Sequence, residues 1–226
     1  MNDAKRAAAR AALEEVPKRD GIVVGLGSGS TAHMFVEELG ALVRAGLRIS
    51  GVPTSESTRA LAQSVGIPLL SDDGPWDLEL CVDGADEVSE ALDLIKGGGA
   101  AHTREKIVNY ASKRNVIIVD ESKLSRQLGE RWSVPIEVLP FAHLTTRENL
   151  SRLGNPVLRR KDGAVVRTDS GNVIYDLDTG PIEDAGDLDA ELHIIPGVVE
   201  TGLFVGRADV VLVAGSDGVR RLTNDA

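Results

Sequence analysis

Runs of almost purely apolar residues alternate with helix-type segments through the first half of the chain. We predict strands at 22–25, 48–52, 78–82, 92–95 and 116–119, and the last of these is apolar throughout. The segments with the three- and four-residue apolar spacing of helices are 4–16, 32–43, 57–65 and 100–112. A strand that is apolar at every position is buried on both faces, which is typical of a parallel sheet between layers of helices. The first half therefore predicts an α/β fold with a Rossmann-like parallel sheet and helices on both faces.

The pattern changes after residue 128. The next segments follow the order strand, helix, strand, strand, helix, strand, at 134–138, 145–153, 156–159, 172–176, 185–193 and 197–199. This order is typical of a ferredoxin-like domain. The later run 209–213 is as apolar as the first-half strands, so we expect it to return to the parallel sheet. We predict one domain of residues 1–128 and 203–226, interrupted by a small ferredoxin-like α+β insertion of residues 129–202.

Composition narrows the class of protein. Of 226 residues, 42% are hydrophobic, which supplies a core and excludes a disordered chain. The net charge is −10 without a run of Lys or Arg, so we expect no nucleic-acid partner. No segment approaches the ~20 apolar residues that span a bilayer, and residues 1–20 lack the apolar stretch of a signal peptide. A single cysteine, Cys81, excludes an internal disulfide and fits a cytoplasmic protein.

Unusual polar clusters follow the ends of the predicted strands. They are residues 25–31, 54–57, 83–87 and 96–99, together with Lys123. Ligands of open parallel sheets bind beyond the carboxyl ends of the strands. Convergence of five clusters on one edge of the sheet therefore predicts a ligand site there.

The cluster at 25–31, GLGSGST, joins a strand to a helix. Its glycines expose backbone N–H groups, the helix N-terminus adds partial positive charge, and Ser28, Ser30 and Thr31 can donate hydrogen bonds to an anion. A dinucleotide motif would need glycine at Ser30, and a Walker A loop would need a lysine, so a monophosphate-sized anion fits better. The alternative is a tight turn with a serine cap.

Three further motifs carry charge. The carboxylates of Asp83, Asp86 and Glu87 repel one another unless a cation, a polyhydroxy ligand or shared protons lie among them, so this segment is a candidate ligand site. The alternatives to a ligand site are a solvated turn and a weak metal site. Lys96 precedes three glycines that allow the backbone to approach a ligand closely, and its ammonium group can stabilise an oxyanion. The alternative is a flexible loop with a surface lysine. Glu105 borders a predicted apolar stripe of the helix 100–112, where partial desolvation suits a general base; the alternative is a surface glutamate. That stripe comprises Ala100, Arg104, Ile107, Val108 and Ala111.

Histidine placement gives no support for a metal. His33, His102, His143 and His193 are scattered without the spacing of metal ligands. We therefore predict core or surface roles for all four and no metal site.

Taken together, four N-terminal motifs resemble those of the type A ribose-5-phosphate isomerases. They are GLGSGST at 25–31, DGADE at 83–87, KGGGAAHTREK at 96–106 and DESK at 120–123. The similarity continues through IPGVVETGLF at 195–204 and ADVVLVAGSDGV at 208–219, so it covers nearly the whole chain. The interrupted α/β fold of that family agrees with the pattern above. One departure is Ser28, where the family often has threonine, and either hydroxyl can donate.

The resemblance implies reversible conversion of D-ribose 5-phosphate to D-ribulose 5-phosphate through an enediol, without metal or organic cofactor. It assigns Glu105 as the proton acceptor, and Asp83, Asp86 and Lys96 as helpers in ring opening and in proton exchange at O1 and O2. It also implies a homodimer or homotetramer. It assigns substrate binding to Ser28, Gly29, Ser30, Thr31, Asp83, Gly84, Ala85, Asp86, Lys96, Gly97, Gly98, Gly99 and Lys123.

Two other functions remain open at this stage. A non-catalytic sugar-phosphate sensor would keep the phosphate loop without needing both Glu105 and Lys96, and it would usually carry a DNA-binding segment. A related enzyme with a glutamate nucleophile, such as an acyl-CoA transferase, would need adenine-nucleotide features that the sequence lacks.

Overall fold

The computed structural model describes residues 2–224. Within that range the helices are α1 (Asn2–Glu15), α2 (Ser30–Arg44), α3 (Glu56–Ser64), α4 (His102–Ala111), α5 (His143–Leu150) and α6 (Ala185–His193). The strands are β1 (Ile22–Leu26), β2 (Ile49–Pro53), β3 (Leu78–Asp83), β4 (Glu87–Val88), β5 (Leu94–Ile95), β6 (Asn115–Asp120), β7 (Val134–Val138), β8 (Asn155–Leu158), β9 (Arg160–Lys161), β10 (Ala164–Val165), β11 (Val173–Asp178), β12 (Val198–Thr201), β13 (Leu203–Phe204), β14 (Val210–Gly215) and β15 (Gly218–Leu222). No helix in the described range is long and apolar enough to cross a bilayer.

The chain forms two compact units. The first unit comprises Met1–Ala85, Arg104–Lys123 and Arg207–Ala226, and the second comprises Asp86–Thr103 and Leu124–Gly206. The sequence assigned residues 86–103 to the first domain, whereas their strands pair within the second unit. The domain boundaries at 128 and 203 stay a prediction.

The first unit contains a six-stranded sheet in the order β15-β14-β6-β3-β1-β2. Every pairing is parallel except that between β14 and β15. Alternate residues of each strand face opposite sides: Leu80 and Val82 pack with α1 and α2, whereas Cys81 packs against Val108 of α4. The predicted parallel sheet with helices on both faces, and the return of the last apolar run to it, are confirmed.

The second unit contains a four-stranded sheet in the order β12-β7-β11-β8, with every pairing antiparallel. Counting only its strands β7, β8, β11 and β12, the chain order is strand, helix, strand, strand, helix, strand, as the sequence predicts for the ferredoxin-like part. Its core lies between one face of this sheet and the helices, with Ile136, Tyr175 and Leu192 fully buried. The hairpin of β9 and β10 was not predicted.

One predicted strand of the parallel sheet is wrong. Residues 94–95 form β5, which pairs antiparallel with β4 and β13 in a separate three-stranded sheet of the second unit. An apolar run shows that a strand is buried but not which strand it pairs with, and Ile95 is buried in the second unit's core. Lys96 and its glycines therefore do not follow a strand of the parallel sheet.

Candidate active site

The loop after β1 leads directly into α2 in the first unit. Gly29 has φ of 91°, a left-handed conformation that favours glycine, and α2 begins at Ser30. No acidic residue lies in the first turn of α2, so its partial positive charge is not neutralised locally. Ser30 and Gly29 are exposed, and Thr31 is half-buried. The predicted anion loop thus presents hydroxyl and N–H groups at a helix N-terminus.

Lys5 of α1 contacts this loop, and sequence reasoning did not find it. Its Nζ donates a hydrogen bond of 2.8 Å to Ser30 Oγ. The two residues are 25 positions apart, and Lys5 stands in an alanine-rich helix without a motif. The contact adds a cation to the loop, which strengthens the prediction that an anion binds there.

Ser28 faces inward rather than toward solvent. Its hydroxyl donates to Ser55 Oγ at 2.7 Å, Ser55 Oγ donates to Thr58 Oγ1 at 3.0 Å, and Thr58 Oγ1 donates to the Gly27 carbonyl at 3.0 Å. Thr54 Oγ1 lies 2.8 Å from Ser28 Oγ. The polar residues that follow β2 therefore anchor the loop that follows β1. Ser28 as a substrate ligand stays a prediction, because its hydroxyl proton is directed into this network.

His33 completes the network. Its Nε2 lies 3.1 Å from Thr58 Oγ1, whose single proton is donated to Gly27, so His33 Nε2 carries the hydrogen and donates. Burial lowers the pKa of His33, and the negative charges of Asp83 and Glu37 oppose that effect. The imidazole is therefore held in its neutral form near neutral pH.

The lowered pKa of His33 predicts that the stability of the protein depends on pH. The folded protein binds fewer protons at His33 than the unfolded chain does, so this contribution to stability is present above the unfolded pKa of about 6.5 and is lost as pH falls through the folded pKa. We expect the free energy of unfolding to fall between pH 7 and pH 5. The His33→Gln variant, whose amide can still donate to Thr58, should show a flatter dependence in urea titrations. Equal slopes for the two proteins would contradict the assignment.

Asp83 ends β3 beside the same loop. It is 2% exposed, and its Oδ1 accepts hydrogen bonds from Ser28 N at 3.0 Å and Gly84 N at 2.7 Å. Two backbone donors on one oxygen fix the orientation of the carboxylate. Gly27 leaves the space for it, because a Cβ at that position would lie 2.2 Å from Asp83 Oδ1. The structure therefore brings Asp83 together with Ser28, as the sequence predicts for neighbouring parallel strands.

Glu105 lies in the first turn of α4 and is 5% exposed. Val108, one turn later, packs so closely on β1 that a Cβ on Gly25 would lie 2.7 Å from it. The predicted stripe of α4 is wrong in part, since Ile107 is 55% exposed. The buried residues of α4 are His102, Glu105, Lys106, Val108 and Asn109, and four of these five are polar, so the spacing of apolar residues could not identify the buried face. Lys123 ends a short 3₁₀ turn after β6 and is half-buried.

The other predicted residues meet around one loop of the second unit. Gly98 N donates 2.7 Å to Asp86 Oδ2, and a Cβ on Gly98 would lie 2.7 Å from Asp86 Oδ1. Arg159 Nη1 donates to the Gly97 carbonyl at 2.6 Å. Lys96 is 3% exposed, and its Nζ lies 5.4 Å from the centre of the Phe204 ring. A buried ammonium, a carboxylate and a glycine backbone are thus held together, with Gly99 exposed at the loop surface.

Known proteins were compared with this chain and its fold. The family model of ribose 5-phosphate isomerase A (phosphoriboisomerase A) matches residues 50–218. The chain belongs to this family. The ribose-5-phosphate isomerase A of Rhodopseudomonas palustris strain TIE-1 is 53% identical over 226 residues, with 96% of each chain covered.

Solved structures agree with the family assignment. Ribose 5-phosphate isomerase A from Methanocaldococcus jannaschii is 44% identical and has a TM-score of 0.92, with 98% of this chain and 99% of that chain covered. A D-ribose-5-phosphate isomerase in complex with phospho-erythronic acid is 41% identical, with a TM-score of 0.93 and 98% of each chain covered. The predictions of the isomerase family, of an aldose–ketose isomerase and of the α/β fold are confirmed.

Not every acidic residue of the family motif at 83–87 points to one place. Glu87 is fully buried in the second unit, where it accepts hydrogen bonds from Ser125 Oγ at 2.6 Å, Gly129 N at 2.9 Å and Arg131 N at 3.0 Å. These bonds account for its carboxylate without a cation or a ligand. Glu87 therefore does not need a ligand to offset repulsion from Asp83 and Asp86. Its hydrogen bonds instead hold residues 125–131 in place.

The histidines of this isomerase make structural contacts. His143 Nδ1 lies 2.7 Å from Tyr175 Oη, and His102 is fully buried. Within residues 2–224, Asp189, His193 and Glu200 form the one group close enough to hold a metal ion. His193 Nε2 lies 2.9 Å from Glu200 Oε1, so these side chains already bond to one another, and none of them belongs to the predicted site.

Proposed function

We propose that this isomerase interconverts D-ribose 5-phosphate and D-ribulose 5-phosphate by proton transfer through an enediol, with Glu105 as the base. The observation that carries the proposal is that two residues of opposite charge, one before and one after the glycine motif in the sequence, are both buried. Lys96 is 3% exposed and Glu105 is 5% exposed, nine residues apart along the chain. Charged side chains are rarely buried to this degree without a specific task.

The phosphate is proposed to bind at the loop between β1 and α2. Gly29, Ser30 and Thr31 offer N–H and hydroxyl donors at the helix N-terminus, and the Lys5 ammonium lies within hydrogen-bonding distance of Ser30. A phosphate bound away from the reacting carbons supplies binding energy that orients them. Ser28 supports this loop through its contacts with Ser55 and Asp83.

The sugar hydroxyls are proposed to bind to the acidic segment and the glycine loop. Carboxylate oxygens of Asp83 and Asp86 accept hydrogen bonds from hydroxyl groups, and both side chains are already oriented by backbone N–H donors. The backbone of Gly84, Ala85, Gly97, Gly98 and Gly99 and the side chain of Lys123 complete the proposed set. Asp83 and Asp86 are also the proposed helpers in ring opening.

The reaction is proposed to move one proton between two carbons. In the forward direction Glu105 removes the C2 proton, the C2–H electron pair forms the C1–C2 double bond, and the C1 carbonyl oxygen becomes the enediolate oxygen. The Lys96 ammonium stabilises the charge on that oxygen. Glu105 then returns the proton to C1, while the O2 proton is transferred to O1 and the C2–O2 bond becomes the ketone carbonyl, which gives the ketose. One of the similar solved structures holds phospho-erythronic acid, whose carboxylate has two oxygens in the manner of an enediolate.

Proton NMR in D₂O tests the reaction directly. With ribose 5-phosphate and EDTA present, we expect ribulose 5-phosphate to form and solvent deuterium to appear at C1, because a carboxylate base exchanges its proton with solvent. Deuterium-free product over many turnovers would point to direct hydride transfer and contradict the enediol route. Loss of turnover with EDTA would show a metal requirement. Absence of turnover in any buffer would overturn the substrate assignment.

We also propose that the protein is a homodimer or homotetramer in the cytoplasm. Support comes from large apolar side chains that are exposed in the second unit, since exposed apolar patches are typical of protein interfaces. Phe141 is 89% exposed, Ile194 is 80% exposed and Leu144 is 62% exposed. Light scattering after gel filtration should give a multiple of the 23.9 kDa chain mass. A mass equal to one chain would contradict an oligomer.

A further inference from the structure

Glu137 of β7 is a buried carboxylate that the proposed mechanism does not use. It is 1% exposed. Its Oε2 accepts a hydrogen bond from Thr103 Oγ1 at 2.5 Å, and its Oε1 accepts from Thr168 Oγ1 at 2.8 Å and Asn172 Nδ2 at 2.7 Å. All three donors are neutral. Burying a carboxylate among neutral donors is costly compared with an apolar residue, so the position calls for a reason beyond packing.

The face of β7 that carries Glu137 is not the face that makes the core. Ile136 and Val138 point into the apolar core of the second unit, so Glu137 and Pro135 point the other way. Pro135 lies beneath the glycine loop, since a Cβ on Gly97 would be 3.0 Å from Pro135 Cβ. Glu137 is therefore on the side of the sheet that supports the segment leading from Lys96 into α4.

The three donors belong to two different places in the fold. Thr168 and Asn172 close one turn between β10 and β11, where Thr168 N donates to Asn172 O at 3.0 Å and Asn172 N donates to Thr168 Oγ1 at 3.2 Å. That turn has its own hydrogen bonds. Thr103 is the second residue of α4, two positions before Glu105. The Glu137–Thr103 bond thus joins a strand of the antiparallel sheet to the first turn of the helix that carries the proposed base.

We propose that Glu137 is a positioning residue for the isomerisation: through Thr103 it fixes the first turn of α4 and so the placement of the Glu105 carboxylate. This inference depends on the proposed role of Glu105. Negative charge beside the first turn of a helix is also favourable, because it faces the partial positive charge of that end. A base displaced by about 1 Å from its substrate carbon can lose on the order of a hundredfold in rate.

The chain offers a matched pair of substitutions. Thr103→Val and Thr168→Val each remove one hydroxyl donor from the same carboxylate, and they differ only in the element that is released. We expect Thr103→Val to lower kcat by roughly tenfold to a hundredfold with KM within about threefold. Thr168→Val should leave kcat within about twofold, and Thr103→Ser should restore kcat because it keeps the hydroxyl. Equal kcat for the two valine variants, or no recovery in the serine variant, would overturn the proposal.

A second pair covers the case in which Thr103→Val does not fold. Glu137→Gln can still accept from Thr168 and Asn172 and can donate to Thr103 Oγ1, whereas Glu137→Met keeps the length of the side chain without these bonds. We expect kcat within about threefold for Gln and a loss of at least about tenfold for Met, measured below the unfolding temperature of each. Equal kcat for Gln and Met would overturn the proposal. Glu105→Gln in the same assay separates the two inferences: if it stays active, the proposed base is wrong, independent of Glu137.

Discussion

Replacing Glu105 with glutamine is expected to lower kcat by a factor on the order of 10³ to 10⁴. The amide keeps the size of the side chain but cannot accept the C2 proton. Because Glu105 is buried in α4 beside Val108, the isosteric change should leave the packing of the helix intact. Binding of the sugar phosphate depends on other groups, so its Kd should change by less than about threefold.

The measurement combines steady-state kinetics with calorimetric titration of the substrate into the inactive variant. Glu14→Gln is the control, since Glu14 is an exposed glutamate of α1 in the same unit. It removes the same charge and should retain the kcat of the unchanged protein. Full activity of Glu105→Gln would exclude it as the base. Loss of both turnover and binding would point instead to a role in holding the substrate.

The sequence predicted most of the fold because the signals for it are local. Strands with apolar residues on both faces require cover on both sides of the sheet, and β1, β2, β3, β6 and β14 lie in the parallel sheet. β5 was assigned to the wrong sheet because two apolar residues carry no information about their partner strand. Ile107 was assigned to the buried face of α4, whereas that face carries Val108, which packs against Gly25 and Cys81. The sequence of the helix alone does not reveal this packing.

Prediction of the site was also limited by contacts between segments that are far apart in the sequence. Each cluster after a strand was visible as a motif, but the direction of its side chains was not. Ser28 was expected to donate to an anion, and the local motif gave no sign that its hydroxyl donates to Ser55; its role as a substrate ligand stays a prediction. Glu87 was grouped with Asp83 and Asp86, yet its partners Ser125 and Gly129 are about forty residues away along the chain. Such contacts arise from strand order, so they could not be obtained from local spacing.

Gly27→Ala is expected to destabilise the protein by at least about 3 kcal/mol and to lower kcat/KM by roughly a hundredfold or more. The alanine Cβ would lie 2.2 Å from Asp83 Oδ1 and 2.6 Å from Asp83 Cα, and a backbone atom cannot move aside as the end of a side chain can. Gly27 N also donates to the Val82 carbonyl at 3.0 Å, so relief by moving β1 would break its pairing with β3. The strain therefore falls on the Asp83 carboxylate and on its bond from Ser28 N.

Gly84→Ala is the matched control for stability, because Gly84 follows Asp83 in the chain and its N–H also contacts the Asp83 carboxylate. Its added Cβ would lie 3.8 Å from the Ile118 carbonyl, an ordinary contact, and Gly84 does not have a positive φ. Urea unfolding of both variants should show a large loss for Gly27→Ala and a change within about 0.5 kcal/mol for Gly84→Ala. If the two variants were equally stable, the close approach of β1 to Asp83 would not be required for folding. If Gly27→Ala were destabilised but kept full kcat/KM, Asp83 would not be held in place for the reaction by this contact.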